Sequence, residues 1–183
     1  MKKIGSRILY DKPSKDELVI EIIPFMEKKD FQLLKVWTAA YSICGLVIFA
    51  SFFYYDFKNS GEVLMIVIFL LFWGYFEFKV LYAIQWNRKG KEIITMKDGT
   101  FSYVKQLSKR GIPIEMEINK MRPFGMIEDT EGGFWNEINN SSFIVGGEVI
   151  EYMSNESIKR LGIKLSKKDG SQLVTLLNKT AQF

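Results

Sequence analysis

Two apolar runs, Trp37–Tyr55 (WTAAYSICGLVIFASFFYY) and Val63–Phe76 (VLMIVIFLLFWGYF), decide the fold, because neither contains a charged residue. The second keeps its apolar character through Val80, Leu81, Tyr82, Ala83 and Ile84 to Trp86. A bilayer core about 30 Å thick is crossed by roughly 20 mostly apolar helical residues, and both runs meet that length. Between them lies only Asp56–Glu62 (DFKNSGE), with turn formers at its centre. The pattern predicts a transmembrane helical hairpin over residues 31–87. A buried hairpin in a soluble core is the alternative, but a chain of 183 residues leaves little protein to cover aromatic-rich helices on all faces.

The flanks are polar, so the mean hydropathy of +0.01 averages two unlike parts. A net charge of +4 suits an anionic membrane surface but is too weak and dispersed to argue for nucleic acid. The chain has no histidine, and its one cysteine, Cys44, lies inside the first apolar run. That composition excludes a Cys/His zinc site, a Ser-His-Asp or Cys-His arrangement and an internal disulfide. No cofactor and no metal is expected, and no cleavable signal peptide is visible.

Orientation follows from the cations. Lys2, Lys3, Arg7, Lys12, Lys15, Lys28, Lys29 and Lys35 precede or open the hairpin, Arg88, Lys89 and Lys91 follow it, and the tip carries only Lys58. The positive-inside rule then places both termini in the cytoplasm, with Trp37, Tyr54, Tyr55, Tyr82 and Trp86 near the interfaces.

Outside the hairpin the period changes. Residues 1–17 are polar and contain Pro13, which predicts a loose arm. Leu18–Ile23 (LVIEII), closed by Pro24, reads as a strand at a sheet edge. Its apolar residues need cover, so it is expected to complete the C-terminal sheet. Lys91–Met96 and Thr100–Leu107 are strands joined by an Asp98-Gly99 hairpin turn. Lys109-Arg110-Gly111 is the next turn, and Ile112–Ile118 alternates apolar and polar residues cleanly. Phe124–Glu128, Phe134–Ile138, Ser142–Val145, Val149–Met153 and Ser157–Ile163 are further strand candidates. Ser166–Lys179 reads as a closing helix, with Ser166 as N-cap and Leu173, Leu176 and Leu177 as its apolar stripe.

Three stretches together carry a resemblance: ELVIEIIP before the first membrane helix, Trp86-Asn87-Arg88 leading straight into KEIITMKDG, and the ending IKRLGIKLSKKDGSQLVTLLNK. With these the chain resembles the bacterial pleckstrin-homology-like (PH-like) small two-helix inner-membrane proteins. The resemblance implies an α+β membrane protein, a two-helix hairpin plus a small antiparallel β-sheet or barrel domain closed by a C-terminal helix. The corresponding domains are a cytoplasmic arm with one strand at 1–30, the hairpin at 31–87 and a cytoplasmic PH-like domain at 88–183. It further implies a multi-pass protein of the bacterial inner membrane that binds without catalysing. The expected role is a protein-binding scaffold or accessory subunit of a membrane complex; the alternative is a surface module that binds anionic lipid headgroups. Expected partners are membrane lipids and a membrane or cytoplasmic protein, with a homo-oligomer also compatible.

Two sets of residues are candidates for that role. Glu77 and Lys79 are charges at membrane depth, where such groups are costly and face protein or water. A hairpin symmetrical about Asn59 sets Glu77 opposite Tyr41 and Ser42, whose hydroxyls can hydrogen-bond it; the competing reading is that both charges lie near the interface and Lys79 snorkels. Lys105, Lys109 and Arg110 form a basic group at a strand turn, either a phosphate-binding site by analogy with pleckstrin-homology folds or a solvated turn. Phe134 and Trp135, with Phe143, are either buried sheet residues or an exposed aromatic docking surface. Cys44 beside Gly45 is read as a small residue that permits close helix contact.

Overall fold

The computed structural model describes residues 1–14, 17–127, 138, 141–154 and 157–183. Six strands form one antiparallel meander: β1 (Lys2–Ile4), β2 (Ile8–Ser14), β3 (Glu17–Ile22), β4 (Gly90–Lys97), β5 (Thr100–Leu107) and β6 (Ile114–Glu117), each paired with the next. A second sheet holds β7 (Gly125–Met126), β8 (Glu148–Ser154) and β9 (Ser157–Ile163). Two long helices, α1 (Lys28–Ser51) and α2 (Ser60–Lys89), interrupt the meander between β3 and β4, and α3 (Lys167–Ala181) ends it. The result is an α+β chain in which the strands make two sheets rather than a closed barrel, among the described residues.

Alternation builds the core. Leu18, Ile20 and Ile22 of β3 are buried in step, as are Ile94 and Met96 of β4, Phe101 and Tyr103 of β5, and Ile150 and Tyr152 of β8. From α3, Leu173 and Leu177 join the same cluster. That helix starts where Ser166 accepts the Asp169 backbone N–H at 3.0 Å, satisfying a donor the first turn leaves free. The β4–β5 turn has φ of 49° at Asp98 and 74° at Gly99, the pair of left-handed residues a two-residue hairpin with the right twist requires.

The early strand does complete the sheet, in full register from Glu17 opposite Lys97 to Ile22 opposite Glu92. It is not an edge strand: β2 covers its other side. Pro24 lies beyond the last paired residue, so it removes no ladder donor and forces no edge position. Residues 1–17, expected as a loose arm, supply β1 and β2. Here Ile4, Ile8 and Tyr10 pack against the core, a sparse pattern that the surrounding charges hide in the sequence. Ser142–Val145 is a bend and not a strand. By packing, Met1–Phe25, Gln85–Asn140 and Gly146–Phe183 form one compact unit, and Met26–Ile84 with Ser141–Val145 form another.

In the second unit, α1 and α2 are long and apolar enough to cross a membrane. Most of their side chains are exposed, including Leu33, Val36, Ile43, Val47, Leu71 and Phe78. The helices touch through Gly45, where a Cβ would fall 1.9 Å from Trp73 Cε2. Cys44 is exposed, so the close approach belongs to its neighbour. By contrast Gly74 faces open space. Gly45→Val is therefore expected to lower thermal stability in mild detergent by about 1–3 kcal/mol, with Gly74→Val far milder; equal effects at the two positions would contradict this packing.

Candidate functional site

Glu77 is the polar centre of the helical pair. It is 9% exposed, and Ser42 Oγ donates to its Oε1 at 2.5 Å. Ser42 Oγ also lies 2.8 Å from Thr38 O, and Thr38 Oγ1 donates to Leu34 O at 2.7 Å. Tyr41 reaches the same level by its backbone, since its carbonyl accepts Trp73 Nε1 at 3.1 Å. Its ring stacks on Trp37, with centroids 4.9 Å apart. Glu77 Oε2 is buried without a hydrogen-bond partner. This carboxyl joins α1 to α2 through Ser42. Lys79 places its Nζ 5.4 Å from the Tyr75 ring centroid.

The basic group divides. Lys105 Nζ is 2.6 Å from Glu148 Oε1, a tight ion pair. Burial alone would push Glu148 up, but the hydrogen bond and charge of Lys105 outweigh it and hold this carboxyl below the usual glutamate value. Lys105 is thereby engaged within the domain. Lys109 and Arg110 stand exposed in the β5–β6 turn, which is closed by Leu107 N to Arg110 O at 2.8 Å and Arg110 N to Leu107 O at 3.0 Å. Phe134 and Trp135 lie outside the described residues. Phe143 packs edge-on against Trp37 at 4.9 Å.

The densest chemistry sits elsewhere, on a glutamate of the expected Lys91–Met96 strand. Glu92 of β4 is 2% exposed. Its Oε2 accepts the Tyr103 hydroxyl at 2.7 Å and Gly162 N at 2.8 Å, and its Oε1 accepts Ile163 N at 2.8 Å. From the opposite side, Arg7 donates through Nη2 to Ile163 O at 3.0 Å, through Nη1 to Lys164 O, and through Nε to Ile23 O at 2.9 Å. The corner after β9 is thus held by its N–H groups on a carboxylate and by its carbonyls on a guanidinium. Gly162 makes the bend, with φ of 79°. Parity betrays Glu92 in the sequence: it shares the buried phase of β4 with Ile94 and Met96. Nothing local marks Arg7, two of whose partners, Ile163 and Lys164, are more than 150 residues away.

Burial pushes Glu92 above the usual glutamate value, and its three hydrogen bonds and Lys105 only partly offset this. Burial also lowers Arg7, against the pull of Glu92 and Asp169. Tyr103 is raised by burial and by the negative Glu92. Tyr152, buried near them without a hydrogen-bond partner for its hydroxyl, is pushed up to about 12 by burial. Glu92, Tyr103 and Tyr152 are closed to solvent, while Arg7 is half-buried at the margin of the constellation. An open depression of about 660 Å³ between the β4–β5 turn and the end of α3 is lined by Lys97, Asp98, Asn119, Thr180 and Gln182, without a buried titratable group. Among the described residues no three acidic, Cys or His side chains are grouped to hold a metal.

Comparison with protein-family models, with curated proteins and with solved structures yields no match to this chain.

Two outcomes follow. An acid raised in the folded state binds its proton more tightly there than in the unfolded chain, so stability falls as pH rises from the ordinary glutamate range toward the folded-state value. Glu92→Gln leaves one backbone N–H without an acceptor, costing about 1–3 kcal/mol, and removes that share of the slope. Unfolding midpoints measured across pH check both, and an unchanged slope would contradict the assignment. Tyr103→Phe is expected to destabilise by about 1–3 kcal/mol, whereas Tyr152→Phe is neutral or stabilising because it deletes an unsatisfied hydroxyl; paired denaturant titrations compare them.

Proposed function

We propose that the chain is a bacterial inner-membrane protein that crosses the bilayer twice, with both termini cytoplasmic. Its PH-like sheet domain serves as a non-catalytic, protein-binding scaffold or accessory subunit of a membrane complex. The carrying observation is the insertion of two exposed apolar helices between the paired strands β3 and β4. An anchor so inserted fixes the domain at two points, whereas a terminal anchor tethers it by one flexible chain.

Charge supports the orientation. Lys28, Lys29, Lys35, Arg88 and Lys89 lie where α1 begins and α2 ends, while the connection between the helices has Lys58 with Asp56, and Glu62 follows in the first turn of α2. The antiparallel sheets with α3 packed on the shared core support the PH-like reading. For a protein partner, β6 is the favoured place: among the described residues it is an edge of the six-stranded sheet, short and exposed, and pairs with β5 alone. An extended segment can add to such an edge through main-chain hydrogen bonds.

A photo-reactive residue at Glu115, compared in living cells with one at Ser171 on α3, tests this. The expected result is a discrete adduct with a second polypeptide at 115 and none at 171. Absence of any polypeptide adduct at 115 would remove the scaffold reading at this edge.

A further inference from the structure

Antiparallel register gathers several segments at one end of the six-stranded sheet. Ile22 ends β3 opposite Glu92, Gly90 begins β4 opposite Leu107, and Ser108 N donates to Lys89 O at 3.0 Å. The chain leaves this end for α1 and returns to it from α2. Three apolar side chains stand in solvent here: Ile23 is 43%, Phe25 64% and Ile112 88% exposed. Single exposed apolar residues are ordinary, but these share one rim with four exposed cations, Arg88, Lys89, Lys109 and Arg110. The rim's acids do not cancel them, since Glu21 is paired with Lys91 at 2.9 Å and Glu92 is buried.

The backbone is also prepared for a less polar medium. Ile23 N donates to Arg7 O at 2.9 Å, and Ile23 O accepts Arg7 Nε at 2.9 Å. Pro24 has no N–H to satisfy. Ile23 and Pro24 can therefore enter a poorly hydrated layer without an orphaned donor.

We propose that this rim is a bilayer-contacting surface of the sheet domain itself. Ile23, Phe25 and Ile112 enter the boundary between headgroups and acyl chains, while Arg88, Lys89, Lys109 and Arg110 lie against the phosphates of anionic lipids. The inference rests on the membrane reading above and adds a second contact, separate from the spanning helices. It returns Lys109 and Arg110 to a binding role and leaves Lys105 in its internal ion pair. Such a contact holds the domain against the surface in one orientation, with the β4–β5 turn at the far end of the sheet.

The test uses the full chain with Cys44→Ala, reconstituted in vesicles with or without anionic lipid. Single cysteines at Ile112, Lys97 and Ile68 carry an environment-sensitive fluorophore, read by lipid-borne quenchers at shallow and deep positions. The expected result at 112 is shallow quenching at least about threefold above that at 97, reduced by half or more in high salt, without anionic lipid, or with Lys109→Ser and Arg110→Ser together. Position 68, on α2, reports the spanning helices through deep quenching. Deep quenching at 68 with equal, weak quenching at 112 and 97 would overturn the rim and leave the membrane reading standing. No quenching at 68 would overturn both.

Discussion

The fold depends on the bracket around the Gly162–Lys164 corner. A carboxylate taken out of water is unfavourable unless donors replace its hydration, and Glu92 receives three within 2.8 Å. Those donors come from β5 and from the end of β9, so one side chain ties the six-stranded sheet to the three-stranded one. Arg7 closes the bracket from the β1–β2 connection and also takes the carbonyl of Ile23. Ile23, the first residue after β3, and Glu92, the third residue after α2, are thus both fastened within the same network.

That arrangement gives the inserted helices their significance. Adjacent antiparallel strands are normally joined by a few residues, and here the connection from β3 to β4 contains two helices of 24 and 30 residues. The β3–β4 ladder nonetheless keeps six consecutive pairs without a shift. Its ends are fixed by side chains rather than by a short turn: Arg7 at Ile23 and Glu92 on β4. Within the helical unit, Gly45 against Trp73 and Ser42 against Glu77 supply the contacts that an apolar surface alone does not specify.

What the sequence disclosed and what it withheld divide along physical lines. Long uncharged runs, alternation in β4 and β5, the Asp98-Gly99 turn and the Ser166 cap are local signals, and each stands where it was read. β1 and β2 are hidden because their apolar residues are few and stand among charged ones. Pro24 suggests an edge position for β3, but it lies past the last paired residue and β3 is paired on both sides. For the candidate residues, Ser42 meets Glu77 as the hairpin symmetry suggests, Lys105 is neutralised by Glu148, which no spacing predicts, and Phe134 and Trp135 lie outside the described residues. Glu92 was legible by strand phase and Arg7 was not, since its partners arrive only when the chain has folded.

The topology we propose has α1 and α2 as a spanning hairpin, with the tip and the termini on opposite sides of one membrane. Its most direct test is thiol accessibility, with single cysteines at Asn59 and Ser171 in the Cys44→Ala chain and a membrane-impermeant reagent applied to bacterial cells with an opened outer envelope. The account predicts that Asn59→Cys reacts while the inner membrane is intact and that Ser171→Cys reacts only after it is breached. Reaction of Ser171→Cys while the inner membrane is intact, or failure of Asn59→Cys to react until it is breached, would contradict it.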